Sequence, residues 1–410
     1  MTNESVYVTP SGLKEKLKQF IESNKILEKK GLLKNAINFQ GLPGIAKTSS
    51  VIQFCNDNGI GFEKVNMGTI DDLGEITGFP MKEFQLSKEG DIVWVNDKSF
   101  DIYVGLGYKP TGEARTGYAE PKWVSNLKKY ETGILLLDDS FRCHQRFMNA
   151  LMELINRGEY YGWKLPKGCN IVMTNNPEGD EFQRLITDSA QSSRFMTFDV
   201  KYDTKDWAEQ AEKEEVPGEF INFIIQNSDQ IFAYRDNADK NKGMNSMPRQ
   251  WTMFFNSLLN LKGDYTSKSA LFQIQQNGKS ILRSDYVTMF TMFLQSPDWN
   301  LIDPSEVFDK KISDETIINK LKECVGEMSK KTFKPAQSAV LSMRVVNHII
   351  AKTVDEPLTD IMVDRLQLVL EHKIFGEDLI LKMLRDLFSN DKKKFAKLFQ
   401  KEFFRNAFLK

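Results

Sequence analysis

Apolar residues in the first sixty positions fall into helical and strand patterns in turn. Between Ser11 and Leu33 they recur at helical spacing (Leu13, Leu17, Phe20, Ile21), and Gly31 offers a stop, so the pattern predicts an amphipathic helix. Ala36-Ile37-Asn38-Phe39-Gln40 is a short apolar strand that runs into Gly41-Leu42-Pro43-Gly44, and Lys47 to Asn58 resumes a helical pattern. Strand, glycine loop and helix in that order form the βα unit of an α/β domain. Ile134-Leu135-Leu136-Leu137 is a continuous apolar run, as expected of a parallel strand buried on both faces. Phe147 to Asn156 reads as a helix with Phe147, Leu151, Leu154 and Ile155 on one face. Asn170 to Thr174 is a third strand and Met196 to Val200 a fourth.

Other stretches lack that regularity. Between Asn58 and Thr132 the sequence is irregular, with turn signals at Gly78-Phe79-Pro80 and Lys109-Pro110-Thr111-Gly112. From about Asp206 the character turns helical, interrupted by a polar loop at Asn237 to Asn245. The expected organisation is an N-terminal helical segment at 1–33 and an α/β core at 34–202, with insertions around 65–132. A helical domain at 203–300 and a helical C-terminal extension at 301–410 follow.

Composition narrows the chemistry. The 410 residues include 55 Lys and Arg against 56 Asp and Glu, a net charge of -1, which excludes a globally basic nucleic-acid coat or an acidic solvating tail. A polyanion must therefore be gripped at a local site. The 4 Cys form no CxxC pair and the 3 His are scattered, which argues against a disulfide framework, a structural zinc site or a metalloenzyme. The N-terminus has no apolar core of a signal peptide, and no apolar run reaches membrane-spanning length. The expectation is a soluble, cytoplasmic protein without a membrane span.

Gly41-Leu42-Pro43-Gly44-Ile45-Ala46-Lys47-Thr48 fits the phosphate-loop spacing G-x-x-x-x-G-K-[ST], except that Ala46 replaces the second fixed glycine. Small residues let backbone N–H groups converge on phosphate oxygens, and the following helix, with Ser49 in its first turn, adds a positive dipole end. Lys47 would reach the β- and γ-phosphates and Thr48 would ligate Mg²⁺. Leu135-Leu136-Leu137-Asp138-Asp139 supplies the matching carboxylates: Asp138 to hold Mg²⁺ through water, Asp139 to orient or deprotonate the attacking water. An apolar strand ending in two acids is by itself more often a strand end with a helix cap; the phosphate loop reverses that balance. Asn176 ends a strand with an amide that could position a water. Arg194 is a candidate arginine finger for a neighbouring subunit, and Arg249 starts a helix from which it could fold back onto phosphates.

With these residues in place the chain resembles the AAA+ ATPases, and within them the MoxR-like group. The resemblance rests on GLPGIAKT (Gly41–Thr48), DDLGEITGFP (Asp71–Pro80), AEPKWVSNL (Ala119–Leu127), LLLDDSFR (Leu135–Arg142), KLPKGCNIVMTNNPEGDEF (Lys164–Phe182), SSRF (Ser192–Phe195), DTKDWAEQA (Asp203–Ala211) and SMPRQW (Ser246–Trp251), in the family's order over about 35–255. It implies an α/β fold: a P-loop AAA+ αβα core with a helical lid domain, here followed by a mainly α-helical C-terminal extension. It also implies a homo-oligomeric ring, commonly a hexamer, that hydrolyses ATP with Mg²⁺ at subunit interfaces. Asn176 would be sensor 1, Arg194 the arginine finger and Arg249 sensor 2, and the stretch at 65–132 would carry an insert facing the ring pore. Two residues depart from the family. Asp139 stands where Glu is usual, retracting the carboxylate by ~1.5 Å, a misplacement that can cost ~10²-fold in rate. Phe141 replaces an Asn, although Arg142 stays.

Trp94, Phe100, Tyr103, Tyr108, Arg115 and Tyr118 in the insertion read either as a gripping pore loop or as ordinary packing. In the last twenty residues Phe395, Leu398, Phe399 and Phe403 would share one face of a basic amphipathic helix, a docking element or simply a terminal helix with a solvated face. The leading expectation is an ATPase, MoxR-like, that binds ATP and ADP and remodels or assembles a protein partner. The alternatives are a DNA-dependent motor related to MCM-type helicases, which is less favoured, and a weakly hydrolysing, nucleotide-gated scaffold.

Overall fold

The strand that ends in the glycine loop lies inside the sheet, flanked by parallel strands on both sides. In the computed structural model, residues 6–160, 162–177, 189–236, 242–296, 301–327, 330, 332–354 and 356–409 are described. The chain divides into two compact units, Met1–Lys201 with 236–242, and Tyr202–Arg235 with Gly243–Lys410.

The first unit begins with β1 (Tyr7–Val8), α1 (Pro10–Lys29), β2 (Ala36–Gln40), α2 (Lys47–Asp57), β3 (Gly61–Asn66) and α3 (Gly74–Thr77). An inserted layer follows: β4 (Pro80–Lys88), β5 (Asp91–Asn96), α4 (Asp97–Gly105) and β6 (Lys109–Tyr118). The core resumes with α5 (Lys122–Leu127), β7 (Gly133–Asp138), α6 (Gln145–Arg157), the short β8 (Glu159–Tyr160) and β9 (Trp163–Lys164), β10 (Cys169–Asn175), α7 (Ser189–Ser192) and β11 (Phe195–Val200).

The main sheet has the order β1-β11-β2-β10-β7-β3, and each neighbouring pair is parallel. Its central strands are covered on both faces, which is why Ile134 to Leu137 reads as an unbroken apolar run with every residue buried. Leu135, Leu137, Ile171 and Met173 share one core with Trp123 and Val124 of α5 and Phe147, Leu151 and Leu154 of α6. By strand alternation Ile134, Leu136 and Val172 face the other side, where α1 and α2 pack on each other. On α1 the predicted Leu13, Leu17, Phe20 and Ile21 are buried, and Thr9 caps the helix by accepting from the Gly12 amide at 3.2 Å. This is an α/β core in which a glycine loop joins an inner strand of a parallel sheet to a helix.

The stretch expected to be irregular is a second, antiparallel sheet in the order β5-β4-β6. Its aromatics make contacts within the insertion. Phe84 meets Phe100 edge-on at 5.2 Å, and Tyr103 meets Tyr108 at 5.4 Å. The Arg115 guanidinium lies 4.3 Å from the Trp94 ring while its Nε donates to Glu83 at 2.7 Å.

The second unit is mainly helical. It comprises α8 (Thr204–Lys213), α9 (Gly218–Ile231), α10 (Pro248–Asn256), α11 (Lys268–Ile281), α12 (Ser284–Gln295) and α13 (Pro304–Val307). Then come α14 (Asp314–Val325), α15 (Pro335–Lys352), α16 (Asp360–Glu371), α17 (Glu377–Asn390), α18 (Lys392–Phe395) and α19 (Glu402–Leu409). One part of its core is aromatic: Phe220, Phe223, Trp251, Phe255 and Phe290 stack or meet edge-on at 4.8–6.3 Å. The other is aliphatic, with α15 as its middle element and Val345, Ile349, Leu366, Leu384 and Leu387 in contact within one cluster.

The single basic amphipathic helix expected at the C-terminus does not form. Asp391 caps the short α18, a 3-10 turn covers Ala396–Gln400, and α19 restarts at Glu402. Phe395, Leu398 and Phe404 are buried in the aliphatic core, not Phe403, because the break resets the helical phase. Three of the lysines are tied down as well: Lys394 donates to the Thr353 carbonyl, Lys397 to the Leu358 carbonyl at 3.0 Å, and Lys401 pairs with Asp364 at 2.7 Å. Among the described residues no helix is long and apolar enough to cross a membrane.

Candidate nucleotide-binding site

The carboxyl ends of β2, β10 and β7 lie level: Asn175 is opposite Gln40, and Thr174 is opposite both Phe39 and Asp138. In an open α/β sheet this edge is where ligands bind. The chain leaves β2 at Gly41, whose amide donates to the Asn175 carbonyl at 3.1 Å. A Cβ on residue 41 would sit 2.5 Å from the Val200 carbonyl oxygen, so only glycine fits there. Leu42 and Ile45 are buried and anchor the loop, while Gly44 (φ 79°) and Ala46 (φ 69°) turn it into α2 through left-handed backbone. At Ala46 that conformation costs ~1–2 kcal/mol, strain of the kind found at ligand-gripping loops. Pro43 stiffens the turn between these anchors. No side chain caps the start of α2, and Ser49 donates back to the Ala46 carbonyl at 3.1 Å, so the first amides of the helix keep their anion-binding character.

Lys47 is only 8 % exposed, and its Nζ donates to the carbonyls of Gly41 (2.7 Å) and Leu42 (2.9 Å) and, at 3.5 Å, to Asn176 Oδ1. The loop thus holds a buried ammonium over its own mouth. Thr48 Oγ1 donates to Asp138 Oδ1 at 2.7 Å, and Thr174 Oγ1 donates to the same oxygen at 2.6 Å. Asp138 Oδ2 receives the Lys64 ammonium at 2.8 Å. Burial alone would raise the Asp138 carboxyl, but Lys64, Thr174 and Thr48 together hold it below the ordinary carboxylate value.

Asp139 sits in left-handed backbone (φ 52°) at the exit of β7, with Arg142 3.5 Å away. Asp tolerates this conformation better than Glu, so the shorter acid has a local cause in the turn itself. Behind it, the buried Asn175 accepts from the Phe141 amide at 2.8 Å and donates to Asn38 Oδ1 at 2.7 Å. This amide relay fixes the turn that presents Asp139. Asn176, the residue singled out by sequence, touches Lys47, whereas its neighbour Asn175 secures the scaffold.

Arg194 lies elsewhere in the same unit. It precedes Phe195, which pairs with Ala36, so it is at the amino end of the sheet, six residues of strand or about 20 Å from Gly41. It is remote from its own loop. Arg249 belongs to the helical unit and stands exposed in the first turn of α10.

Sequence reasoning missed Asn38, Lys64, Thr174 and Asn175. Polar residues inside apolar strands were a readable signal for the two asparagines, since a buried amide demands partners. Lys64 carried none, because its partner is set by the pairing of β3 with β7.

The donor set fits a nucleoside triphosphate with Mg²⁺: main-chain amides from Gly44 to Thr48, the Lys47 ammonium, and the Thr48 hydroxyl joined to a carboxylate. No family model matches the chain, and no curated protein matches it. Among solved structures it is similar to the RuvB Holliday junction branch migration motor of Thermotoga maritima, at 12% identity and TM-score 0.34 over 76% of this chain and 81% of that one. Two single-residue variants of that protein score 0.36 at 11% and 12% identity, covering 80% and 87% of this chain and 87% and 94% of theirs. Likeness this remote bears on neither activity nor partner.

Proposed function

We propose that this chain is an ATP-binding and ATP-hydrolysing AAA+ ATPase of MoxR-like type, acting as a homo-oligomeric ring, a hexamer, that remodels or assembles a protein partner. The observation that carries the reading is Thr48 bonded to Asp138 at 2.7 Å directly after the buried Lys47, at the carboxyl ends of β2 and β7. Mg²⁺ supplies charge neutralisation on the phosphates when bound. Loop amides and Lys47 bind and orient the triphosphate, Thr48 and Asp138 hold the metal, and Asp139 accepts the proton of the attacking water. Asn176, next to Lys47, positions that water. Arg194, remote from its own loop, serves the site of a neighbouring subunit, and Arg249 closes on the phosphates from the helical lid. The family's lid is assigned to 203–300 and the extension to 301–410.

Asp139→Asn keeps the left-handed backbone and removes only the base. Phosphate release should fall by ~10²-fold or more while ATP affinity stays within about twofold. A parallel collapse of affinity would make Asp139 structural. Unchanged turnover would favour a scaffold that hydrolyses little. The same assay with single- and double-stranded DNA tests the nucleic-acid motor: stimulated turnover with steeply salt-dependent binding would replace the protein partner by DNA.

A further inference from the structure

The acid that would hold the metal already carries a cation. Lys64 on β3 is paired in register with Leu136, two residues before Asp138, so alternation puts Lys64 and Asp138 on one face of the sheet. The Thr48 and Thr174 hydroxyls occupy Oδ1, and the Lys64 ammonium occupies Oδ2 at 2.8 Å. The two side chains differ in freedom. That of Asp138 is 18% exposed and fixed by two hydroxyls, whereas that of Lys64 is 40% exposed and has solvent to move into. Lys47 adds a second, buried ammonium at the same mouth.

We infer that Lys64 is a placeholder cation that keeps bare divalent metal off Asp138 and yields only to metal accompanied by a triphosphate. The inference rests on the reading of this loop as an ATP site. Its basis is charge balance. A free divalent cation must displace one ammonium while facing another, and it brings nothing to offset its own charge. A metal–triphosphate complex arrives net negative, pairs with Lys47, and lets Lys64 swing outward without leaving Asp138 uncompensated. Lys64 is in this sense a positioning residue, acting through Asp138.

The test is a Mn²⁺ titration followed by electron paramagnetic resonance on the nucleotide-free full chain. Lys64→Met, which keeps the aliphatic stem, should bind Mn²⁺ ~5-fold more tightly than wild type, the worth of a half-exposed ion pair. Lys64→Arg should restore the weak wild-type binding, and adding Asp138→Asn to Lys64→Met should abolish the gain. With a non-hydrolysable ATP analogue present, wild type and Lys64→Met should hold Mn²⁺ with affinities within about twofold. Equal Mn²⁺ affinity of the two nucleotide-free proteins would overturn the placeholder role, as would a gain that survives Asp138→Asn. A fluorescent ATP analogue titrated into the same samples separates this from the underlying reading: failure of both proteins to bind it would sink the ATP site, whatever the Mn²⁺ result.

Discussion

Replacing Lys47 with Ala is expected to lower ATP affinity by about 10²- to 10³-fold. Lys47 is 8 % exposed and its ammonium is held by two loop carbonyls at 2.7 and 2.9 Å, so the group is pre-placed before any ligand arrives. A charge-assisted hydrogen bond of this kind contributes roughly 1.5–3 kcal/mol, and an ammonium can make two with phosphate oxygens. Two bonds at the low end of that range, about 3–4 kcal/mol together, correspond to the stated factor. The mutant also loses the donor that closes the loop carbonyls of Gly41 and Leu42, so the loop itself should loosen. Titration with a fluorescent ATP analogue measures the first effect. A thermal shift supplies a second readout, because ligand at a hundred times its dissociation constant stabilises wild type by ~2.7 kcal/mol and should leave the mutant unmoved. Wild-type affinity in the mutant would remove Lys47 from the site.

The second large effect concerns stability of the helical unit. Arg344 of α15 is 1 % exposed, and its guanidinium donates to Glu212 of α8 at 2.7 Å and to Asp303, the cap of α13, at 3.1 Å. A Cβ on Gly218 would fall 2.7 Å from the guanidinium, so glycine at the start of α9 makes room for it. Burial raises the Glu212 carboxyl above its ordinary value even with Arg344 beside it, which shows how costly that charge is to bury. Arg344→Met should therefore destabilise the unit by about 3–5 kcal/mol, because Glu212 would be left buried and unpaired. At ~2–4 °C per kcal/mol for a unit of this size, the melting temperature followed by circular dichroism should drop by roughly 10 °C. Adding Glu212→Leu should recover most of the loss, since replacing both partners by apolar groups removes the unpaired charge. A single mutant as stable as wild type would mean that Arg344 and Glu212 are not a buried pair.

Which parts of this molecule could be read from sequence follows from the range of the forces involved. Strand β2, its glycine loop and helix α2 are contiguous, so local pattern and turn chemistry carried them. Ile134 to Leu137 was legible because a strand covered on both faces is apolar throughout. Strand β3, Gly-Phe-Glu-Lys-Val-Asn, mixes polar and apolar residues on both faces at the sheet edge, without alternation, and is defined by pairing with β7, seventy residues on. The insertion hid for the same reason: its Gly- and Pro-containing β6 becomes a strand only through β4. At the C-terminus the spacing of Phe395, Leu398, Phe399 and Phe403 fits a helix, yet burial of Phe404 and the ties of Lys394 and Lys397 to distant carbonyls broke it. The site shows the same division. Lys47, Thr48 and Asp138 follow from spacing, whereas Lys64, Asn38 and Asn175 act across strands. At Asp139 the left-handed turn gives the shorter acid a local structural reason that spacing alone does not show.

The most direct test of the central claim is a calorimetric titration of ATP into the wild-type chain, with Mg²⁺ and with the metal chelated. One saturable binding event per chain is expected, and it should weaken markedly when Mg²⁺ is removed. No saturable heat up to millimolar ATP, or binding indifferent to Mg²⁺, would contradict a site built from Lys47, Thr48 and Asp138.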